Sequence, residues 1–321
     1  MKEAPRATLP IVWLLFLSSV TIVAGNGDSP KPTVASPSAR AAAERAKDRS
    51  SVRTLLNLSY KSGCKACLLD LALPNETHPG PWPLIVVIHG GGWIEGDKSS
   101  FASDTYKVPG NIVDFARIGF AAATINYRLS KEAAYPAALD DCRAAVRWLR
   151  EHAAEYQLDP KRIGAYGNSA GGHLALLLAL LEDPVDRGTG VEQSSRVQAA
   201  ASDSGPIDLV ADYRRGTLRT VIGGFMGGAP EGNRQALFEQ ASPSHYVSAK
   251  GPPLLLIYGE ADAQVGVETA DRFVAALSEA GRRDVTYLRV AAVDHCPHSL
   301  QRVPYVADAV TQFFLRTLGP R

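Results

Sequence analysis

The chain has 321 residues, 45% of them hydrophobic and 21% charged, which suits one large α/β domain, or at most two smaller ones, with a sizeable core. Its formal net charge of +1 gives no basis for a nucleic-acid or anionic-membrane partner.

The chain begins with Lys2 and Arg6, then an apolar run from Leu9 to Ala24, then the small residues Val23-Ala24-Gly25. A basic start, an apolar middle and a small-residue exit predict a secretory signal over residues 1–25, and the run is short for a full membrane span. The expectation is a secreted or periplasmic protein with no stable membrane partner once the signal is cleaved. Residues 26–50, with Ser29-Pro30-Lys31-Pro32 and Ser36-Pro37-Ser38, lack the apolar content to pack and read as a flexible linker. The folded domain is expected over residues 51–321.

Val52 to Tyr60 and Ala66 to Leu73 read as two strands joined by Lys61-Ser62-Gly63. Cys64 and Cys67 have the redox CxxC spacing. Their place in a hairpin favours a local disulfide or two thiols instead. Zinc would need two further ligands at suitable spacing, and the sequence offers none. Leu84 to Ile88 and Phe120 to Ile125 are continuous apolar runs, as in strands covered on both faces. A helix opens at Tyr135-Pro136 and runs to about Glu155, with Leu139, Cys142, Val146 and Leu149 on one buried face. Ile163 to Tyr166 is a short strand, Ala170 to Leu181 a helix apolar all round and so buried, and Val197 to Ala201 a strand. Residues 205–250 are irregular and read as a small cap or a set of loops. Pro253 to Tyr258 is a strand, Glu268 to Ala280 a helix, Val285 to Val290 a strand and Val303 to Leu318 a closing helix. This alternation predicts a doubly wound α/β fold: an eight-stranded, mostly parallel sheet with an N-terminal antiparallel hairpin and helices on both faces.

Gly167-Asn168-Ser169-Ala170-Gly171 matches G-x-S-x-G between a strand and a buried helix, the setting of a nucleophile elbow. Such a turn exposes the Ser169 hydroxyl at a helix N-terminus, where positive potential favours a developing oxyanion. His89-Gly90-Gly91-Gly92-Trp93 directly follows the Leu84 to Ile88 strand. Its glycines let the backbone approach a substrate closely, and the Gly91, Gly92 and Ala170 amides are assigned as oxyanion donors. A phosphate loop is disfavoured, since no Gly-Lys-Ser/Thr follows. His89 is read as a structural residue of this loop.

With these residues the chain resembles the esterase/lipase branch of the α/β hydrolases that carries an HGGG oxyanion loop. His89 to Lys98, Asn126-Tyr127-Arg128-Leu129 and the Pro136 to Leu149 helix are most similar to the bacterial feruloyl- and acetyl-esterase-like (BD-FAE-like) subgroup. The resemblance spans about residues 52–318 and implies a triad in the order Ser, acid, His. It implies Asp262 as the acid, with Glu260, Asp203 and Asp208 as rivals, and His295 as the base, with His298 as competitor. The sequence departs from the family at Cys296-Pro297, where a glycine or small apolar residue is usual after the histidine. The activity implied is hydrolysis of carboxylic esters through an acyl-enzyme, with no metal or organic cofactor. The substrates implied are small-molecule or polysaccharide-linked esters, acetylated or feruloylated. An amidase or exopeptidase on the same scaffold and a catalytically silent binding protein are the alternatives. Trp93 and Tyr127 are candidates for the substrate pocket, His173 and Tyr166 read as packing, and Asp97-Lys98 as a surface pair. Asn57-Leu58-Ser59 and Asn75-Glu76-Thr77 are glycosylation sequons.

Overall fold

A computed structural model of the chain describes residues 52–75, 78–102, 111–182, 193–296 and 303–319. The expected signal, the expected linker and His298 lie outside the described residues. The elements run β1 (Arg53–Ser59), β2 (Leu68–Leu73), β3 (Trp82–Ile88), α1 (Ile112–Arg117), β4 (Ala121–Ile125), α2 (Ala137–Glu151), β5 (Leu158–Asn168), α3 (Ala170–Leu180), β6 (Ala199–Asp203), α4 (Leu209–Arg215), α5 (Arg219–Met226), α6 (Asn233–Gln240), β7 (Leu254–Gly259), α7 (Val267–Glu279), β8 (Val285–Val290) and α8 (Pro304–Leu318).

The eight strands form one sheet in the order β1-β2-β4-β3-β5-β6-β7-β8. The pairings β1–β2 and β2–β4 are antiparallel, and every pairing from β4 through β3 to β8 is parallel. Alternate residues of each central strand feed opposite faces. Leu84, Val86 and Ile88 of β3 pack in one core with residues of α2, α3 and α7. Ile85 and Val87 pack in the other with residues of α1 and α8. Both faces being covered is why β3 is apolar throughout, and each such fully buried side chain stabilises the fold by roughly 1.5–3 kcal/mol.

The order reverses at β3, whose neighbours are β4 on one side and β5 on the other. Loops leaving the carboxyl ends of β3 and β5 therefore diverge and open a crevice, the usual ligand position in an open α/β sheet. The register Ile88↔Gly167 brings the residues after β3 and those after β5 to this crevice together.

Several boundaries and environments differ from the sequence reading. The helix expected to run to Glu155 ends at Glu151. Residues 205–250 are not irregular but hold three short helices, α4, α5 and α6, and a 3-10 turn at Pro243–Tyr246. Asp97 and Lys98 are not a surface pair. Lys98 is 6% exposed and its ammonium contacts both carboxylate oxygens of buried Asp70 at 2.8 Å, while Asp97 caps the Lys98–Phe101 turn by accepting from the Ser99 amide. Cys64 and Cys67 form a disulfide in the β1–β2 turn, and Cys142 and Cys296 are buried thiols. Among the described residues no helix is long and apolar enough to cross a membrane.

Candidate active site

Strand β5 ends at Asn168 and α3 starts at Ala170, so Ser169 alone makes the turn, with φ 50° and ψ −122°. For a residue with a Cβ this conformation costs on the order of 1–3 kcal/mol. It is held because the Ser169 amide donates to the Asp203 carbonyl at 2.7 Å and the Ser169 carbonyl accepts from the His173 amide at 3.0 Å. The turn is too tight for side chains on either flank. A Cβ on Gly167 would stand 2.4 Å from Gly171, and one on Gly171 would stand 2.0 Å from the Ile88 carbonyl oxygen.

His295 follows β8 and Asp262 follows β7, adjacent parallel strands. Their loops are laced together: the Ala261 amide donates to the Val293 carbonyl at 2.9 Å and the Glu260 amide to the Val290 carbonyl at 2.9 Å. His295 Nε2 lies 2.9 Å from Ser169 Oγ, and its Nδ1 lies 2.7 Å from Asp262 Oδ2. The carboxylate can only accept, so Nδ1 carries the proton and Nε2 is left to accept from the serine hydroxyl. The other Asp262 oxygen accepts from the Gln264 and Val265 amides, both at 2.8 Å. The Asp262 side chain is fully buried, which fixes its orientation. The rival acids are engaged elsewhere. Glu260 pairs with Arg289 at 2.9 Å, Asp208 caps α4, and Asp203 accepts from the Ser204 hydroxyl at 3.3 Å.

Cys296, where the family has a small residue or glycine, sits at φ 54°, a left-handed conformation that glycine adopts without strain. Its amide donates to Ser204 Oγ at 3.0 Å, which anchors the His295 loop to the end of β6. Burial pushes the Cys296 thiol well above its usual pKa range.

The loop after β3 curls so that Gly91 (φ 99°) and Gly92 (φ 58°) border the same cleft as Ser169 and Ala170. Among the described residues the Gly91, Gly92 and Ala170 N–H groups have no protein acceptor. His89 stays under this loop. Its Nδ1 donates to the Gly90 carbonyl at 2.8 Å, its ring stacks on Tyr127 with centroids 4.4 Å apart, and burial lowers its pKa, keeping it neutral. Tyr127, a candidate for the substrate pocket in the sequence, is therefore not among the residues that line the cleft. It is buried behind the loop and its hydroxyl donates to the His89 carbonyl at 3.1 Å. Trp93 does border the cleft, and its ring stacks on Phe225 of α5. His173 is buried, with Nε2 2.7 Å from the Ala241 carbonyl, and burial lowers its pKa to about 4. Tyr166 is buried in the core.

The cleft has a volume of about 300 Å³. Two groups at it escaped the sequence reading. Asn168 accepts from the Gly90 amide at 3.0 Å and points its Nδ2 at Cys296 Sγ, 3.9 Å away, so one amide of the elbow touches both the glycine loop after β3 and the loop that carries His295. Nothing in the motif's spacing distinguishes this residue. Leu218 and Val221 also line the cleft. The helical spacing of Leu218, Val221 and Phe225 could have revealed them, but Gly223-Gly224 and Gly227-Gly228 masked it.

Comparison with known proteins agrees with this architecture. The BD-FAE family model matches residues 69–277. Esterase LipQ of Mycobacterium tuberculosis is 31% identical over 270 residues, covering 83% of this chain and 63% of LipQ. The chain thus spans less than two thirds of the length of that curated relative. Among solved structures, a propionate-bound esterase of Thermogutta terrifontis superposes with a TM-score of 0.67 at 25% identity, covering 85% of this chain and 97% of that one. A carbohydrate esterase from gut microbiota superposes at 0.65 and 25% identity, covering 82% and 96%.

Proposed function

Since this chain belongs to the BD-FAE family, we propose that it is an exported serine hydrolase that cleaves carboxylic esters through an acyl-enzyme. The observation that carries the reading is the unbroken hydrogen-bonded line from Ser169 Oγ through His295 to Asp262, at 2.9 and 2.7 Å.

In this reading Ser169 Oγ attacks the acyl carbon while His295 Nε2 takes its proton, and the carbonyl electrons move onto oxygen. The Gly91, Gly92 and Ala170 amides stabilise that oxyanion, and each such donor is worth on the order of 3 kcal/mol at the transition state. Asp262 holds the imidazole in the required tautomer and stabilises it once charged. Collapse breaks the C–O bond, and the departing alcohol oxygen takes the proton from His295. Water then attacks the acyl-enzyme by the same steps, releasing the acid and restoring Ser169. All the groups needed are side chains and amides of this chain.

For the substrate we propose esters on small molecules or on polysaccharide, acetylated or feruloylated. The carbohydrate-esterase neighbour supports this. For location we propose secretion or the periplasm, on the strength of the basic, apolar and small-residue pattern over residues 1–25.

The test is labelling by a fluorophosphonate probe, located by mass spectrometry, on the wild type and on Ser169→Ala. Labelling at Ser169 that vanishes in the variant is expected. A folded wild type that takes no label would overturn the reading and leave a binding protein on a hydrolase fold.

A further inference from the structure

Helix α5 belongs to the segment between β6 and β7, away from the residues of the proposed chemistry, yet it meets the oxyanion loop directly. A Cβ on Gly92 would stand 2.6 Å from Cγ1 of Val221. The Val221 methyl thus occupies the place a side chain on that glycine would take, immediately beside a proposed oxyanion donor. One turn on, Phe225 stacks on Trp93 with ring centroids 4.3 Å apart and planes 13° apart. The Tyr135 amide donates to the Phe225 carbonyl at 2.7 Å. The helix therefore lies against the loop at Val221 and Phe225 and is tied to the segment before α2 at Tyr135. Val221 and, just before the helix, Leu218 border the same cleft as Ser169, Ala170 and His295.

The four substituents of a tetrahedral intermediate divide this cleft. One is Ser169 Oγ. The oxyanion lies at the Gly91, Gly92 and Ala170 amides. The departing oxygen must reach His295 Nε2 to collect its proton. The fourth, the carbon chain of the acyl group, needs no polar partner and is left to the apolar lining, to which Leu218 and Val221 contribute together with Ile94 and Pro206. A β-branched side chain on a helix is confined to essentially one χ1 rotamer, so Val221 cannot swing aside for a longer chain.

We propose that Val221 is a specificity-determining residue that closes the acyl side of the cleft and restricts it to small acyl groups such as acetyl. This rests on the serine-esterase reading above. Of the two acyl groups proposed above it therefore selects acetyl over feruloyl, in which an aromatic ring extends from the carbonyl.

The test compares kcat/KM for p-nitrophenyl acetate, butyrate and octanoate in the wild type, Val221→Ala and Val221→Ile. A methylene-scale change in an apolar pocket alters discrimination by about tenfold or more. The octanoate-to-acetate ratio should therefore rise by about tenfold in Val221→Ala, and the butyrate-to-acetate ratio should fall in Val221→Ile. A ratio of kcat/KM values for two substrates does not depend on the fraction of folded enzyme, so a partly misfolded alanine variant still reports its acyl profile. A second series holds the acyl group at acetyl and varies the alcohol. Acyl profiles unchanged within twofold across the variants would overturn the proposal, as would a change confined to the alcohol series. A wild type that hydrolyses none of these esters and takes no fluorophosphonate label at Ser169 would sink the esterase reading itself, an outcome distinct from hydrolysis with an unmoved profile.

Discussion

Asp262 presents one carboxylate oxygen to His295 Nδ1 at 2.7 Å, while its second oxygen is tied to the Gln264 and Val265 amides. The carboxylate cannot rotate, so it dictates which imidazole nitrogen carries the proton. Asp262→Asn keeps the shape but can offer an N–H to Nδ1, which turns the tautomer round and removes the acceptor from Ser169. Under the proposed mechanism kcat on an aryl ester falls roughly a thousandfold to ten-thousandfold with little change in KM. Steady-state kinetics checks this, and a loss below tenfold would mean that Asp262 does not serve His295 in this way.

Asn168 makes a second link, between the elbow and the glycine loop after β3. It accepts from the Gly90 amide at 3.0 Å, next to the proposed donors. Asn168→Ala leaves that amide without its acceptor and frees the loop. A displaced oxyanion donor costs transition-state stabilisation rather than substrate affinity. We expect kcat to fall about tenfold to a hundredfold with KM nearly constant, while fluorophosphonate still labels Ser169. A rise in KM alone would assign Asn168 to substrate binding instead.

These two links differ in how far the sequence exposes them. The turn at Ser169 is local: a strand, a motif and an apolar helix lie within about twenty residues, and β5 and α3 flank the serine. The meeting of Asp262 with His295 depends on β7 and β8 lying side by side, and only the family's order of acid and base suggests it. Tyr127 was misread because an aromatic residue after β4 looks the same whether it faces substrate or packs under the neighbouring loop; its stacking on His89 decides. Lys98 was misread for a similar reason. Its partner, Asp70, stands 28 residues earlier on β2, and no local pattern reveals a buried carboxylate across the sheet. The two glycines inside α5 and the two just after it hid a helix that its packing on Trp93 and Gly92 sustains.

The Lys98–Asp70 pair carries a stability prediction. Both side chains are below a tenth exposed, so removing one partner leaves a desolvated charge without its counter-ion, Asp70 keeping, among the described residues, only the Asn57 amide at 2.7 Å. Lys98→Met or Asp70→Asn should each destabilise the protein by about 3–5 kcal/mol. The double variant should lose clearly less than the sum of the two, because neither charge is then stranded. Denaturant unfolding of the four proteins provides the cycle, and additive losses would show that the pair is not coupled.

Asp212, on α4, sets a pH dependence. It is 2% exposed, and among the described residues neither carboxyl oxygen has a hydrogen-bond partner. Burial is the main cause that raises its pKa to about 7. Asp208 and Asp262 add to this, while Arg215 and Arg272 oppose it. A carboxyl whose pKa is higher in the folded protein binds its proton more tightly there. Its contribution is therefore fully present below the ordinary value of 3.8 and is lost as pH rises through about 7. Buried His173, with its pKa lowered to about 4, has the opposite slope between 4 and 6.5. It is common to both proteins when wild type is compared with Asp212→Asn, so its effect cancels. Asparagine has no charge to bury, and Asp212→Asn should therefore gain on the wild type by on the order of 4 kcal/mol at pH 8. That advantage should shrink toward zero at pH 4. Denaturant unfolding of both proteins across this range measures the difference directly. A difference that does not vary with pH would mean that Asp212 is ionised throughout, held by Arg215 or Arg272 strongly enough to offset its burial.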